Sequence, residues 1–216
     1  MTNNNSKSGI NSKDKKIESL EKEIEKELKE LSKVLAKPIN NKDKYLSTLY
    51  RRKNQLKWFN KKLDLFSAQM PKVVKQREIF YCELGQNIGS EQEGRRPVVI
   101  LQNNVGNAHA GITLVAPVTS FRKGSLKTVK GQLYLEEKKN GKNHLKKLLF
   151  YDIPLELEKD SKYDIYGVAN VSQIRVVSKS RLALTPVATI TIKNFKMITT
   201  AIEKNISIFE ENLDKN

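Results

Sequence analysis

Val98-Val99-Ile100-Leu101 is an unbroken apolar run held between Pro97 and the polar pair Gln102-Asn103. A run this short and rich in β-branched residues reads as a buried strand. Pro97 has no backbone donor, so the strand begins there or lies at a sheet edge. Just before it, Gly89-Ser90-Glu91-Gln92-Glu93-Gly94 is a polar loop bounded by glycines, the residue type that lets a backbone turn sharply or approach a ligand. Arg96 therefore stands at a loop-to-strand junction, where a rigid element can hold a permanently charged fork in place. By itself it reads equally well as a solvated Arg at a strand end.

Further strand-like runs follow. Ile112 to Val118 is apolar and closes in Thr119, Ser120, Phe121 and Arg122. Ile79 to Leu84 precedes the anchor, and Gln132 to Glu136, Leu148 to Ile153, Val168-Ala169 and Ile174 to Val177 come after it. Asn140-Gly141 is a hairpin signal, and it predicts a Lys-rich hairpin over residues 137–147. That hairpin reads either as an arm reaching along a nucleic acid or as a solvated tip. Thr191 is placed to cap a last helix carrying Phe195, Ile198, Ile202, Ile206, Phe209 and Leu213 on one face, which would cover the sheet.

The first third has a different period. Residues 1–12 are rich in Asn, Ser and Lys, and their composition predicts a disordered tail. From Lys13, the residues Ile17, Leu20, Ile24, Leu28, Leu31 and Leu35 form one helical stripe. Pro38 stops that helix, and a second follows with Leu46, Leu49, Leu56, Phe59, Leu63 and Phe66 on one face and Trp58 beside it. Between 42 and 66 there are eight Lys or Arg against two Asp. The pattern predicts an antiparallel helical hairpin over 13–75, whose stripes need cover from the sheet domain or from a second subunit. It reads as a structural brace or as a basic RNA-binding arm.

Lys and Arg number 40 against 24 Asp and Glu, a net charge of +16, which points to a polyanionic partner. The single cysteine, Cys82, has no disulfide partner and falls within a strand, so it reads as a core residue. A reducing cytoplasm is the expected compartment, and no membrane partner is expected. His109 and His144 have no carboxylate or Cys at ligand spacing, so neither a metal site nor a cofactor is expected. Serine-nucleophile, phosphate-loop and dinucleotide fingerprints are absent from the sequence.

Taken in order, Ile79 to Leu84, Gly89-Ser90-Glu91-Gln92, Arg96-Pro97-Val98, Gln102-Asn103 and the strand closed by Thr119 resemble the MazF/PemK family of toxins. Gln173-Ile174-Arg175 and Ser180-Arg181-Leu182 resemble that family's later positions. The likeness spans roughly residues 76–213, is dense from 79 to 122, and leaves the N-terminal helices unmatched. It implies an α+β fold: an SH3-like antiparallel β-barrel with covering helices, occupying 76–216. It also implies a type II toxin that cleaves single-stranded RNA without metal, by attack of the 2′-hydroxyl. Arg96 and Thr119 match the catalytic positions, and Ser90, Glu91 and Gln92 match the loop bordering the RNA groove. We add Arg95, Phe121, Arg122 and Gln173 as expected RNA contacts, with Phe121 as a stacking face. Homodimerisation and an acidic antitoxin partner are further implications. A same-fold toxin acting on a topoisomerase and a non-catalytic RNA-binding module are the alternatives. The family's opening Gly is replaced here by Arg77, and its connection after Thr119 is shorter than the one in this chain.

Overall fold

The computed structural model describes residues 5–37, 42–139 and 142–206. The chain divides into two compact units, Met1–Lys57 and Trp58–Asn216.

The first unit is helical. Helix α1 spans Asn5–Ala36, and α2, Lys42–Phe66, crosses the boundary between the units. Helix α1 starts within the segment expected to be a disordered tail. Once the apolar stripe sustains a helix, each added residue gains a hydrogen bond, and Ser, Asn and Lys cost only tenths of a kcal/mol apiece. Among the described residues the apolar stripes of the two helices are left largely uncovered. Ile17, Leu20, Ile24, Leu28 and Leu31 remain about half exposed, as do Leu46 and Leu49. What joins the helices is an end contact: Arg52 Nη1 donates to the carbonyl of Leu35, one of the last orphan acceptors of α1. A cation that satisfies a helix end leaves the apolar faces open. Pro38, the expected breaker, lies outside the described residues.

The second unit is a curled antiparallel sheet. Strands β1 (Glu78–Glu83), β2 (Arg95–Ile100) and β3 (Ile112–Ser120) form its centre, with helix α3 (Asn104–His109) between the last two. His109, expected in a loop, closes that helix, which Asn103 caps by accepting from the Gly106 N–H at 2.8 Å. The long strand β3 changes partner along its length. Its first half pairs with β9 (Arg175–Ser178), and its last residues pair with β8 (Gly167–Asn170). Splitting one edge between two strands bends the sheet, and the two faces of the bend carry separate cores. Ile79, Val99, Leu101, Ala116 and Val118 lie on one face under Ile198 and Ala201 of α4 (Ile192–Ile206). Phe80, Cys82, Val98, Ile100 and Val115 lie on the other. This is the two-residue alternation of a strand buried on both sides. Thr191 caps α4 as expected, its hydroxyl 3.1 Å from the Asn194 N–H; Phe209 and Leu213 lie outside the described residues. Strands β7 (Asp152–Pro154) and β10 (Ala188–Thr189) complete the edges.

The insertion after Thr119 is a separate three-stranded sheet: β4 (Leu126–Val129), β5 (Gln132–Lys139) and β6 (Lys142–Lys147). The expected strand over Leu148–Ile153 is displaced. Lysine-rich residues 142–147 take the pairing with β5, and Leu148 turns inward instead. Leu148 is the apolar anchor that attaches the small sheet, packing with Leu135 and Val168. His144, expected at the hairpin tip, pairs within the ladder opposite Glu137, and Asn140-Gly141 lies outside the described residues.

Arg77, where the resemblance expects Gly, has φ +74°, the left-handed conformation a glycine adopts freely. Its guanidinium is anchored to Glu158 at 3.0 Å and to the Ile190 carbonyl at 2.9 Å, which offsets the backbone strain.

Candidate active site

Strand register sets up the site. Val98 lies opposite Pro117, and extending that pairing by two residues brings Arg96 opposite Thr119 on the same face. One side chain joins them. Gln92 Oε1 accepts from Arg96 Nη1 at 2.9 Å, while Gln92 Nε2 donates to Thr119 Oγ1 at 3.2 Å. Arg96 Nε donates to the Glu93 carbonyl at 2.9 Å. Two of the five guanidinium N–H groups are thereby committed to the loop, and three stay available to a ligand. At Thr119 the neighbouring strand comes close because residue 167 is glycine. A Cβ there would lie 2.6 Å from Val118 Cγ1 and 3.0 Å from the Thr119 carbonyl oxygen.

The loop itself is tied to the turn between β8 and β9. Gln173 Oε1 accepts from the Gln92 N–H at 3.1 Å, and its Nε2 donates to the Ser90 carbonyl at 3.2 Å. Arg175 donates to the Gln92 carbonyl at 3.3 Å and to Glu91 Oε2 at 3.4 Å. Asn87 Nδ2 donates to the same Gln92 carbonyl at 2.6 Å. Gln92 is therefore fixed from both backbone sides before its side chain reaches Arg96 and Thr119.

Ser90, Glu91, Gln92, Arg96, Thr119 and Gln173 thus come together. Arg95 does not. Alternation along β2 sends it to the other face, where it lies over the Tyr81 ring and 3.8 Å from Glu83. Phe121 is partly buried, packing with Leu135 and Val168 under the inserted sheet, and its remaining surface lines a cavity beside Thr119. Arg122 is exposed and lines a cavity beside Thr119. Arg175 and Asn87 were not anticipated as site residues. Gln173-Ile174-Arg175 was the available signal for Arg175, whereas Asn87 carried none.

Cys82 lies on the site's side of the sheet but is fully buried. Burial pushes its thiol up to about 12, so it stays protonated and unreactive at neutral pH. Among the described residues no cluster of three or more His, Cys, Asp or Glu is arranged to hold a metal, and no helix is long and apolar enough to cross a membrane.

Comparison with known proteins follows the same segment. Residues 75–206 match the family described as PemK-like, MazF-like toxin of type II toxin-antitoxin system. The chain is 30% identical over 111 residues to Endoribonuclease EndoA of Bacillus subtilis (strain 168), covering 51% of this chain and 75% of that protein. Among solved structures, MazF (Form-I) from Deinococcus radiodurans is 19% identical at a TM-score of 0.41, over 61% of this chain and 94% of that one. An endoribonuclease in complex with its cognate antitoxin, from a mycobacterial species, is 15% identical at a TM-score of 0.38, over 63% and 97%. The family match covers more than half of the chain and contains every residue of the cluster, and the chain accordingly belongs to the PemK-like, MazF-like toxins of type II toxin–antitoxin systems.

Proposed function

We propose that this toxin is a metal-independent endoribonuclease that cleaves single-stranded RNA at the Arg96–Gln92–Thr119 cluster. The observation that carries the reading is the Gln92 bridge, which presents a guanidinium and a hydroxyl to one point. A phosphodiester there would receive the free N–H groups of Arg96 on its non-bridging oxygens and the Thr119 hydroxyl as a further donor. The RNA's 2′-oxygen attacks phosphorus, the 2′-hydroxyl proton is released, and the 5′-oxygen leaves and is protonated. The products are a 2′,3′-cyclic phosphate and a 5′-hydroxyl. Arg96 acts by its charge, stabilising the extra negative charge of the phosphorane. Preorganised donors of this kind contribute about 10² to 10³ in rate each.

The loop residues Ser90, Glu91, Gln92 and Gln173 border the same point and suit contacts to bases or phosphates. Arg122 is placed to hold a flanking phosphate. A net charge of +16 favours RNA and an acidic antitoxin alike, and the reading includes a homodimer acting in a reducing cytoplasm. The deciding experiment incubates the purified chain with single-stranded RNA in EDTA and maps the new 5′ ends. Cleavage that falls at least a hundredfold in Arg96→Ala and in Thr119→Ala supports the reading. Binding without cleavage by the wild-type chain would leave only an RNA-binding module.

A further inference from the structure

Beside Thr119 an open cavity of about 420 Å³, within the size range of small-ligand pockets, lies between the end of β3 and the inserted sheet. Its floor is apolar, made by Phe121 and the buried Leu135. Its walls carry charge of both signs: Arg122 and Lys138, and the carboxylates Glu136 and Glu137. The two carboxylates are not equivalent. Glu136 accepts from Asn143 Nδ2 at 3.2 Å and pairs with Lys127 at 3.9 Å. Glu137 is exposed, follows Leu133 and Leu135 on the same face of β5 opposite His144, and its carboxylate makes no hydrogen bond or ion pair among the described residues. Thr119 lines the same cavity, so whatever fills it adjoins the point where the phosphate would sit.

An apolar floor is of no use to a bare phosphate and suits the face of a base. A carboxylate only accepts hydrogen bonds, so it selects a base edge that donates. Guanine is the base that presents two adjacent donors, N1–H and the 2-amino group, together with O6 and N7 acceptors suited to cations such as Arg122 and Lys138. Uracil offers a single N–H flanked by two carbonyl oxygens, which a carboxylate repels. We propose that this cavity seats a guanine base adjacent to the scissile phosphate, with Glu137 as the specificity-determining residue. The inference rests on the ribonuclease reading above and assigns the inserted sheet a role in choosing the cleavage site.

The test begins with a random single-stranded RNA library cleaved by the wild-type chain, in which guanine is expected to be enriched at a position flanking the cut. Two oligonucleotides are then compared, identical except for guanine or hypoxanthine at that position; hypoxanthine lacks only the 2-amino group. The wild-type chain should favour guanine about tenfold in kcat/KM, and Glu137→Gln should reduce that ratio below twofold, while Glu136→Gln keeps it. Because each ratio is measured within one preparation, partial misfolding of a variant cancels. Cleavage without guanine enrichment, or a ratio unchanged in Glu137→Gln, overturns the proposal and leaves the ribonuclease reading intact. Absence of any cleavage by the wild-type chain overturns both.

Discussion

Replacing Gln92 by methionine keeps its length and roughly its volume but removes both side-chain hydrogen bonds. The backbone of residue 92 stays held by Gln173, Asn87 and Arg175, so the loop should keep its course. What is lost is one charge-assisted bond to Arg96, worth about 1.5–3 kcal/mol, and one neutral bond to Thr119, worth about 0.5–1.5 kcal/mol. Arg96 keeps its bond to the Glu93 carbonyl, so part of its orientation survives. We therefore expect a net loss of about 2–3 kcal/mol in transition-state stabilisation, a fall of roughly 30- to 150-fold in kcat. The loss should appear mainly in kcat, because Ser90, Glu91, Gln173 and Arg122 remain to bind RNA while the two groups proposed to meet the phosphate lose their alignment. The assay is steady-state cleavage of a fluorogenic single-stranded RNA, with thermal unfolding measured on the same sample. A Gln92→Met chain with wild-type Tm and kcat within twofold would refute the positioning role.

Three further outcomes follow from the packing. At pH 8 a thiol raised to about 12 is about one part in ten thousand thiolate, so Cys82 should resist iodoacetamide until the chain is unfolded in guanidinium, and mass spectrometry reads the adduct. Arg77→Gly trades the strain of φ +74° against two lost hydrogen bonds, one of them in a half-exposed ion pair, and should unfold in urea within about 1 kcal/mol of wild type; Arg77→Ala keeps the strain and should be the less stable of the two. Asn194 is buried, donates to the Pro154 carbonyl at 2.8 Å and accepts from the Glu156 N–H at 3.2 Å; Asn194→Ala strands both backbone groups and should cost about 2–4 kcal/mol in the same urea titration.

Much of the architecture was written in local pattern. Short apolar runs bounded by Pro, Gly and Asn located β1, β2, β3, β8 and β9, because strand pairing needs alternation and β-branching that are visible within a few residues. The 3.6-residue spacing located α1, α2 and α4 by the same local logic. Arg96 and Thr119 were singled out by the family resemblance, since local pattern alone reads Arg96 equally well as a solvated strand-end residue. Local pattern failed where a choice of partner decided the outcome. The stripes of α1 and α2 specify helices but not what covers them, and the single chain leaves them exposed. Leu148 to Ile153 has the composition of a strand, yet anchoring the inserted sheet required Leu148 in a core, and the lysines before it took the ladder.

By itself the sequence determined the order of most elements and the charge of the molecule, since propensity and charge are properties of short segments, and the family resemblance pointed to the two groups we propose meet the phosphate. Only the tertiary structure decided that Gln92 links those groups, that Arg95 faces away from them, and that Phe121 and Glu137 border one cavity. Those are relations between residues distant along the chain, and they exist only once strand register and sheet curvature have set which side chains share a face.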